Sequence, residues 1–151
     1  LPSGFVFHFG HATEVNGNLQ VNMCWYEDAD LMGAGMNELM ASGIQRKPSL
    51  AYAVTAVANM QTGQAKLIKS ATSMEFPIFN NQTIHQDTKI YGVSHSKKSM
   101  GHADTLMAWN SYQGETDSYL YPKGVMVEEP MSGVAWPPDG VQIEPRCFYQ
   151  T

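Results

Sequence analysis

The chain has 151 residues, 43% of them hydrophobic and only 15% charged, with a formal net charge of -5. That length suits a single globular domain over residues 1–151, and the mix excludes a coiled coil, a collagen, a disordered tail and a membrane span. Nine basic residues against 14 acidic ones leave few cations for phosphate contacts, which argues against nucleic acid and against anionic membranes as partners.

Phe5-Val6-Phe7-His8-Phe9 reads as a strand with the three phenylalanines on one face and Val6 and His8 on the other. Asn16-Gly17 is a hairpin turn signal, and Leu19, Val21 and Met23 alternate with polar residues after it. A first hairpin across residues 5–24 follows, with a long loop at 10–18. Asp28 to Ser42 is the best helix candidate. Asp28 or Asp30 caps it, Leu31, Met32, Met36, Leu39 and Met40 form its stripe, and Gly43 stops it. Gly33 and Gly35 weaken it by about 1 kcal/mol each relative to Ala.

Residues 50–58 alternate with both faces apolar, as in a central strand, and residues 59–63 read as a turn. The run through Met74, Glu75 and Phe76 returns as the partner strand of a long hairpin, and Pro77 ends its regular pairing. Lys89 to His95 is a short strand, Asp104 to Tyr112 suits helix or strand, and Tyr119 to Val127 resumes the strand pattern around Pro122-Lys123-Gly124. Trp136-Pro137-Pro138-Asp139-Gly140 makes a rigid corner before a last strand ending near Tyr149. The sum is an α+β class, a mainly antiparallel β-sheet, sandwich or barrel-like, with one or two short helices.

The two cysteines, Cys24 and Cys147, stand near opposite ends. A disulfide between them would close a loop of more than 120 residues and stabilise by about 4–5 kcal/mol in the chain-entropy account. That bridge, the polar low-charge surface and a start at Leu1, which suits a removed signal peptide or an excised domain, point to a secreted or cell-surface protein. Asn81-Gln82-Thr83 is a formal glycosylation acceptor.

Chemistry-bearing residues are present without a strong signature. Cys24 as a nucleophile has only Glu27 and Asp28 as charged neighbours, and carboxylates hold a thiol up rather than down. His8 and His11, three apart around Gly10, are the metal-ligand candidates, short of a third partner. Ser99, His102 and Asp104 carry the residue types of a hydrolytic triad, without a GxSxG elbow. Glu115 with Asp117, and Glu128 with Glu129, are possible carboxylate pairs, while Gly33-Ala34-Gly35 lacks the third glycine of a phosphate loop. Trp25, Tyr26, Trp109, Tyr112 and Trp136 are the candidate binding rings for a glycan or protein. The leading expectation is an exported, non-catalytic binding or surface-assembly domain with no cofactor, its partners a protein or glycan or further copies of itself. Behind it stand a small secreted hydrolase using His102 with a serine or carboxylate, and a cytosolic accessory protein with free thiols.

Overall fold

The computed structural model describes residues 1–43, 49–79, 89–96 and 102–127 and the backbone of Cys147–Tyr149. It is mainly antiparallel β, with one short helix, in a sandwich-like arrangement of two four-stranded sheets, as the residue pattern predicts. The first sheet runs β1 (Phe5–Val15), β2 (Asn18–Tyr26), β3 (Tyr52–Asn59), β4 (Ala65–Ser73). The second runs β5 (Glu75–Phe79), β6 (Lys89–Ser94), β7 (Thr105–Asn110), β8 (Thr116–Leu120). Each is a meander whose spatial order follows the chain. A further pair, β9 (Val125–Val127) and β10 (Cys147–Tyr149), forms a small sheet of its own.

The first hairpin is tighter than its sequence suggests. Asn16 (φ 52°) and Gly17 (φ 74°) make a two-residue turn in the left-handed region, the geometry that matches strand twist. The strands therefore run up to the turn, and the irregularity moves into β1, where the pairing slips between Val6 and Phe9 and again between Phe9 and Ala12. These slips break strict alternation. Phe5 and Phe7 pack on the core, whereas Phe9, expected on their face, is 62% exposed.

The predicted helix forms in two pieces. A 3-10 turn at Asp30–Met32 is separated from α1 (Ala34–Ser42) by Gly33, whose φ and ψ of -105° and -103° are not helical. Asp28 accepts the Asp30 amide at 3.0 Å, and Gly43 closes the helix at φ 68°. Leu31 reaches the core, but no residue of α1 is buried, and Met32, Met36 and Met40 face solvent. Of the expected apolar stripe, Leu31 and Leu39 are half-buried and the three methionines are exposed.

The strand prediction at residues 50–58 is met by β3, its turn by residues 59–64, and its partner by β4. The run at Met74 to Phe76 is not that partner. The chain leaves the first sheet after Ser73, the Met74 amide bonds the Ala51 carbonyl at 3.1 Å, and Glu75 starts the second sheet opposite Val93. Pro77 does not end the strand: a bulge between Glu75 and Ile78 absorbs it. Residues 105–110, ambiguous in sequence, are strand.

Burial decreases outward across both sheets. Every residue of β8 is exposed and β4 is mostly so, while the core gathers Cys24, Tyr26, Ala51, Ala53, Met74, Ile90 and Trp109 from the inner strands. The first strands of the two sheets, β1 and β5, are in contact. Within the second sheet, Gly92 on β6 lets β6 lie close against the chain that enters β5: a Cβ there would lie 2.5 Å from Met74 Cγ and 2.6 Å from the Glu75 carbonyl oxygen.

Cys24 is a free, buried thiol, which corrects the expected Cys24–Cys147 disulfide. It lies in the body of the first sheet opposite Ala53, whereas Cys147 belongs to β10, opposite Val127 on the separate two-stranded sheet. Trp136, Ser99, Asn81 and the Glu128–Glu129 pair lie outside the described residues.

Candidate active site at the junction of the two sheets

Where β1 meets β5, one carboxylate joins the sheets. His8 Nδ1–H donates to Glu75 Oε2 at 2.6 Å, across 67 residues of sequence. Glu75 is 8% exposed. Its Oε2 also accepts the Phe76 amide at 2.9 Å, and Phe76 holds a left-handed φ of 51°. That conformation costs a non-glycine residue about 1–3 kcal/mol, and here it turns an amide back onto the neighbouring carboxylate. With the proton of Nδ1 committed to Glu75, the Nε2 lone pair of His8 is left outward, on a ring whose side chain is 39% exposed. Nε2 has no hydrogen-bond partner among the described residues.

The surroundings are apolar and aromatic. Phe76 lies 4.9 Å from the His8 ring, Phe7 stacks at 6.0 Å, and Phe7 meets Tyr26 edge-on at 5.9 Å. Burial pushes the Tyr26 phenol up, reinforced by the nearby Glu75 charge. The Cys24 thiol is likewise pushed up, first by burial and then by Glu75. A thiol held protonated is no nucleophile, so Cys24 is a packing residue.

The other predicted residues are dispersed. His11 is buried beside Phe79, ring centroids 5.1 Å apart, with Nε2 unpartnered and burial lowering its pKa. His102 Nε2 lies 3.0 Å from the Gly43 carbonyl. Asp104 is taken by Ser96, whose amide and hydroxyl donate to it at 2.6 and 2.5 Å, and by the Thr105 hydroxyl at 2.9 Å. Asp104 therefore fastens the loop between β6 and β7. Glu115 and Asp117 stand at the exposed outer strand.

Among the binding rings, Tyr26 and Trp109 are 4% exposed and belong to the core. Trp25 and Tyr52 flank the Lys69 ammonium, at 5.2 and 3.7 Å, while Lys69 also meets Glu27. Tyr112 sits half-buried in the turn after β7. An open cleft of about 550 Å³ beside α1 is lined by Glu27, Asp28, Asp30 and Glu38 with Tyr26 and Tyr52. No histidine among the described residues lines it. Among the described residues no group of three or more His, Cys, Asp or Glu is arranged to hold a metal.

The profile of a protein family described as RPE65, retinal pigment epithelial membrane protein, matches residues 1–138. The chain belongs to the RPE65 family. No curated protein matches it. Among solved structures it is similar to a cobalt-substituted Synechocystis ACO, with TM-score 0.72 and 16% identity, over 97% of this chain and 31% of that one. An ACO/RPE65 chimera matches with TM-score 0.72 and 14% identity, and a variant of Synechocystis apocarotenoid oxygenase (ACO) with 0.72 and 16%, both with the same coverage. The chain thus spans about a third of the length of these structures.

Membership of this family overturns the expectation of a non-catalytic protein- or glycan-binding module, and with it the secreted or cell-surface location and the secreted-hydrolase alternative. The location had rested in part on the bridge, which the free Cys24 removes. No helix among the described residues is long and apolar enough to cross a membrane. Glu75, the buried partner of His8, is the residue that pattern reading passed over. Its signal was available: a lone carboxylate within Met-Glu-Phe-Pro-Ile-Phe, where burial demands a partner.

Proposed function

We propose that this chain is part of an oxygenase acting on an apocarotenoid-like, extended apolar substrate, and that His8 presents Nε2 to a metal ion while Glu75 sets its ring. The observation that carries the reading is the His8–Glu75 hydrogen bond of 2.6 Å between the sheets. A ligating histidine characteristically donates its other ring N–H to a carboxylate or carbonyl, which fixes the tautomer and raises the basicity of the ligating nitrogen. Imidazole suits the first-row metals of oxygen chemistry, and a relative in the same fold is described as cobalt-substituted.

His8 fits one position of such a site. The remaining ligands must come from outside the described residues, since none of these completes a metal group with it. The architecture supports that division. Two successive four-stranded meanders that meet along their first strands repeat in the manner of propeller blades, and a ring of such blades brings first strands together at its centre. The bound metal would supply redox chemistry toward dioxygen. The chain's own contribution is an oriented imidazole, a carboxylate that keeps it oriented, and the rings of Phe7 and Phe76, which exclude water beside it.

The test uses the complete protein. His8→Ala is expected to abolish stoichiometric cobalt uptake and turnover of an apocarotenoid, and Glu75→Gln to weaken metal binding about 10–100-fold. His11→Ala is expected to leave cobalt uptake unchanged. Wild-type cobalt stoichiometry in folded His8→Ala protein would remove His8 from the metal site and end this reading.

A further inference from the structure

The bulge in β5 falls where the strand passes His8, and Phe76 stands in it at a φ of 51°. Neither of the local preferences of this residue would put it there. A bulky side chain is rare in the left-handed region, and the proline that follows favours an extended backbone. Such a conformation persists only where the surroundings over-determine it. Upstream, the Met74 amide is tied to the Ala51 carbonyl at 3.1 Å, and downstream Ile78 is back in register with Tyr91. Alongside, a Cβ on Gly10 would lie 3.5 Å from Pro77 Cβ, so β1 runs against the bulge.

The bulge delivers one hydrogen bond. The Glu75–Phe76 peptide is turned so that its N–H donates to Glu75 Oε2 at 2.9 Å, and the same oxygen receives His8 Nδ1–H at 2.6 Å. With the peptide in that orientation, a positive φ at residue 76 is what returns the chain to the strand. The Phe76 ring, 4.9 Å from His8, contributes separately by packing.

We infer that Phe76 is a positioning residue of the candidate site through its backbone: its left-handed φ keeps the peptide N–H on Glu75 Oε2 and so holds the carboxylate where it receives His8 Nδ1–H. If residue 76 relaxes to an extended conformation, the peptide flips and the N–H leaves Oε2. Glu75 then loses an anchor, and the His8 ring its enforced tautomer. The bearing on metal binding rests on the proposed role of His8, whereas the positioning stands apart from it.

The experiment reads the His8 tautomer by histidine-selective ¹⁵N NMR in the complete, metal-free protein at about pH 8, where an ordinary imidazole is neutral. Two variants delete the ring and differ in backbone preference: Phe76→Gly accepts the left-handed region freely, and Phe76→Val resists it. Phe76→Gly is expected to keep the Nδ1–H form of wild type. Phe76→Val is expected to shift the tautomer ratio on the order of tenfold toward Nε2–H, as for loss of one hydrogen bond to a charged group, with Phe76→Ala between the two. A ratio in Phe76→Gly displaced as far as in Phe76→Val would assign the effect to the ring and overturn the inference. So would an unmoved ratio in Phe76→Val. Amide exchange keeps the test decisive if the valine variant fails to fold. The Phe76 amide of wild type is expected to be protected on the order of tenfold or more, and an amide that exchanges as freely as an exposed one overturns the inference. No metal enters these measurements, so their failure is separate from retention of cobalt by His8→Ala.

Discussion

His8 and His102 each hydrogen-bond an oxygen far away in sequence, Glu75 in one case and the Gly43 carbonyl in the other. The difference lies in what holds the partner. Glu75 sits in a strand, 8% exposed, beside a strained Phe76 and against the core. His102 is exposed, on the loop after β6, and its neighbour Asp104 is already spent on Ser96 and Thr105. A catalytic group must be held by a framework that resists the loss of any one contact. The junction meets that requirement, whereas the loop mainly secures itself.

The contrast can be broken most severely at Gly92. Gly92→Val would drive side-chain atoms into Met74 and the Glu75 backbone, and a destabilisation of about 3 kcal/mol or more is expected in urea unfolding, at the upper end of overpacking costs. A tolerated valine would show that β6 does not press so closely on Met74 and the Glu75 backbone. Next in size is Thr55→Val. It removes the 2.8 Å hydrogen bond to the buried Asn22 Oδ1, at a cost of about 1–3 kcal/mol, measured in the same way.

Asp104→Asn sharpens the comparison from the other side. It weakens the loop by about 1 kcal/mol and leaves cobalt uptake at the wild-type level, as metal analysis would show. The pH dependence is a smaller effect. Burial lowers the pKa of His11 and of His95 from 6.5, with Asp104 opposing and His102 adding to the shift at His95. Below pH 6.5 the unfolded chain takes up protons that the fold refuses. Stability is therefore fully present above that value and is lost as pH falls through the lowered folded pKa values. Urea titrations between about pH 7.5 and pH 5 should show this fall, and His95→Gln should flatten it. The smallest change expected is at the exposed Lys69–Glu27 pair, where Glu27→Gln should cost under about 1 kcal/mol.

Much of the fold was legible because its signals are local. Asn16-Gly17 specified a tight turn, alternation marked β2 and β3, and Asp28 and Gly43 marked the ends of the helical segment. The errors arose where a single residue changed the phase. The slips around Phe9 reversed its face, and the bulge at Phe76 carried the strand through Pro77. Likewise, two cysteines at opposite ends invited a bridge, although residue spacing says nothing of the sheet to which each strand belongs.

His8, which the structure places at the sheet junction, was among the residues singled out in the sequence, whereas His11, paired with it there, turns to Phe79 instead. Composition and periodicity determined by themselves that this chain makes antiparallel strands around an apolar core, since those preferences act over a few residues. Only the tertiary structure could choose Glu75 for His8. Two sheets had to meet along β1 and β5 before groups 67 residues apart came within 2.6 Å.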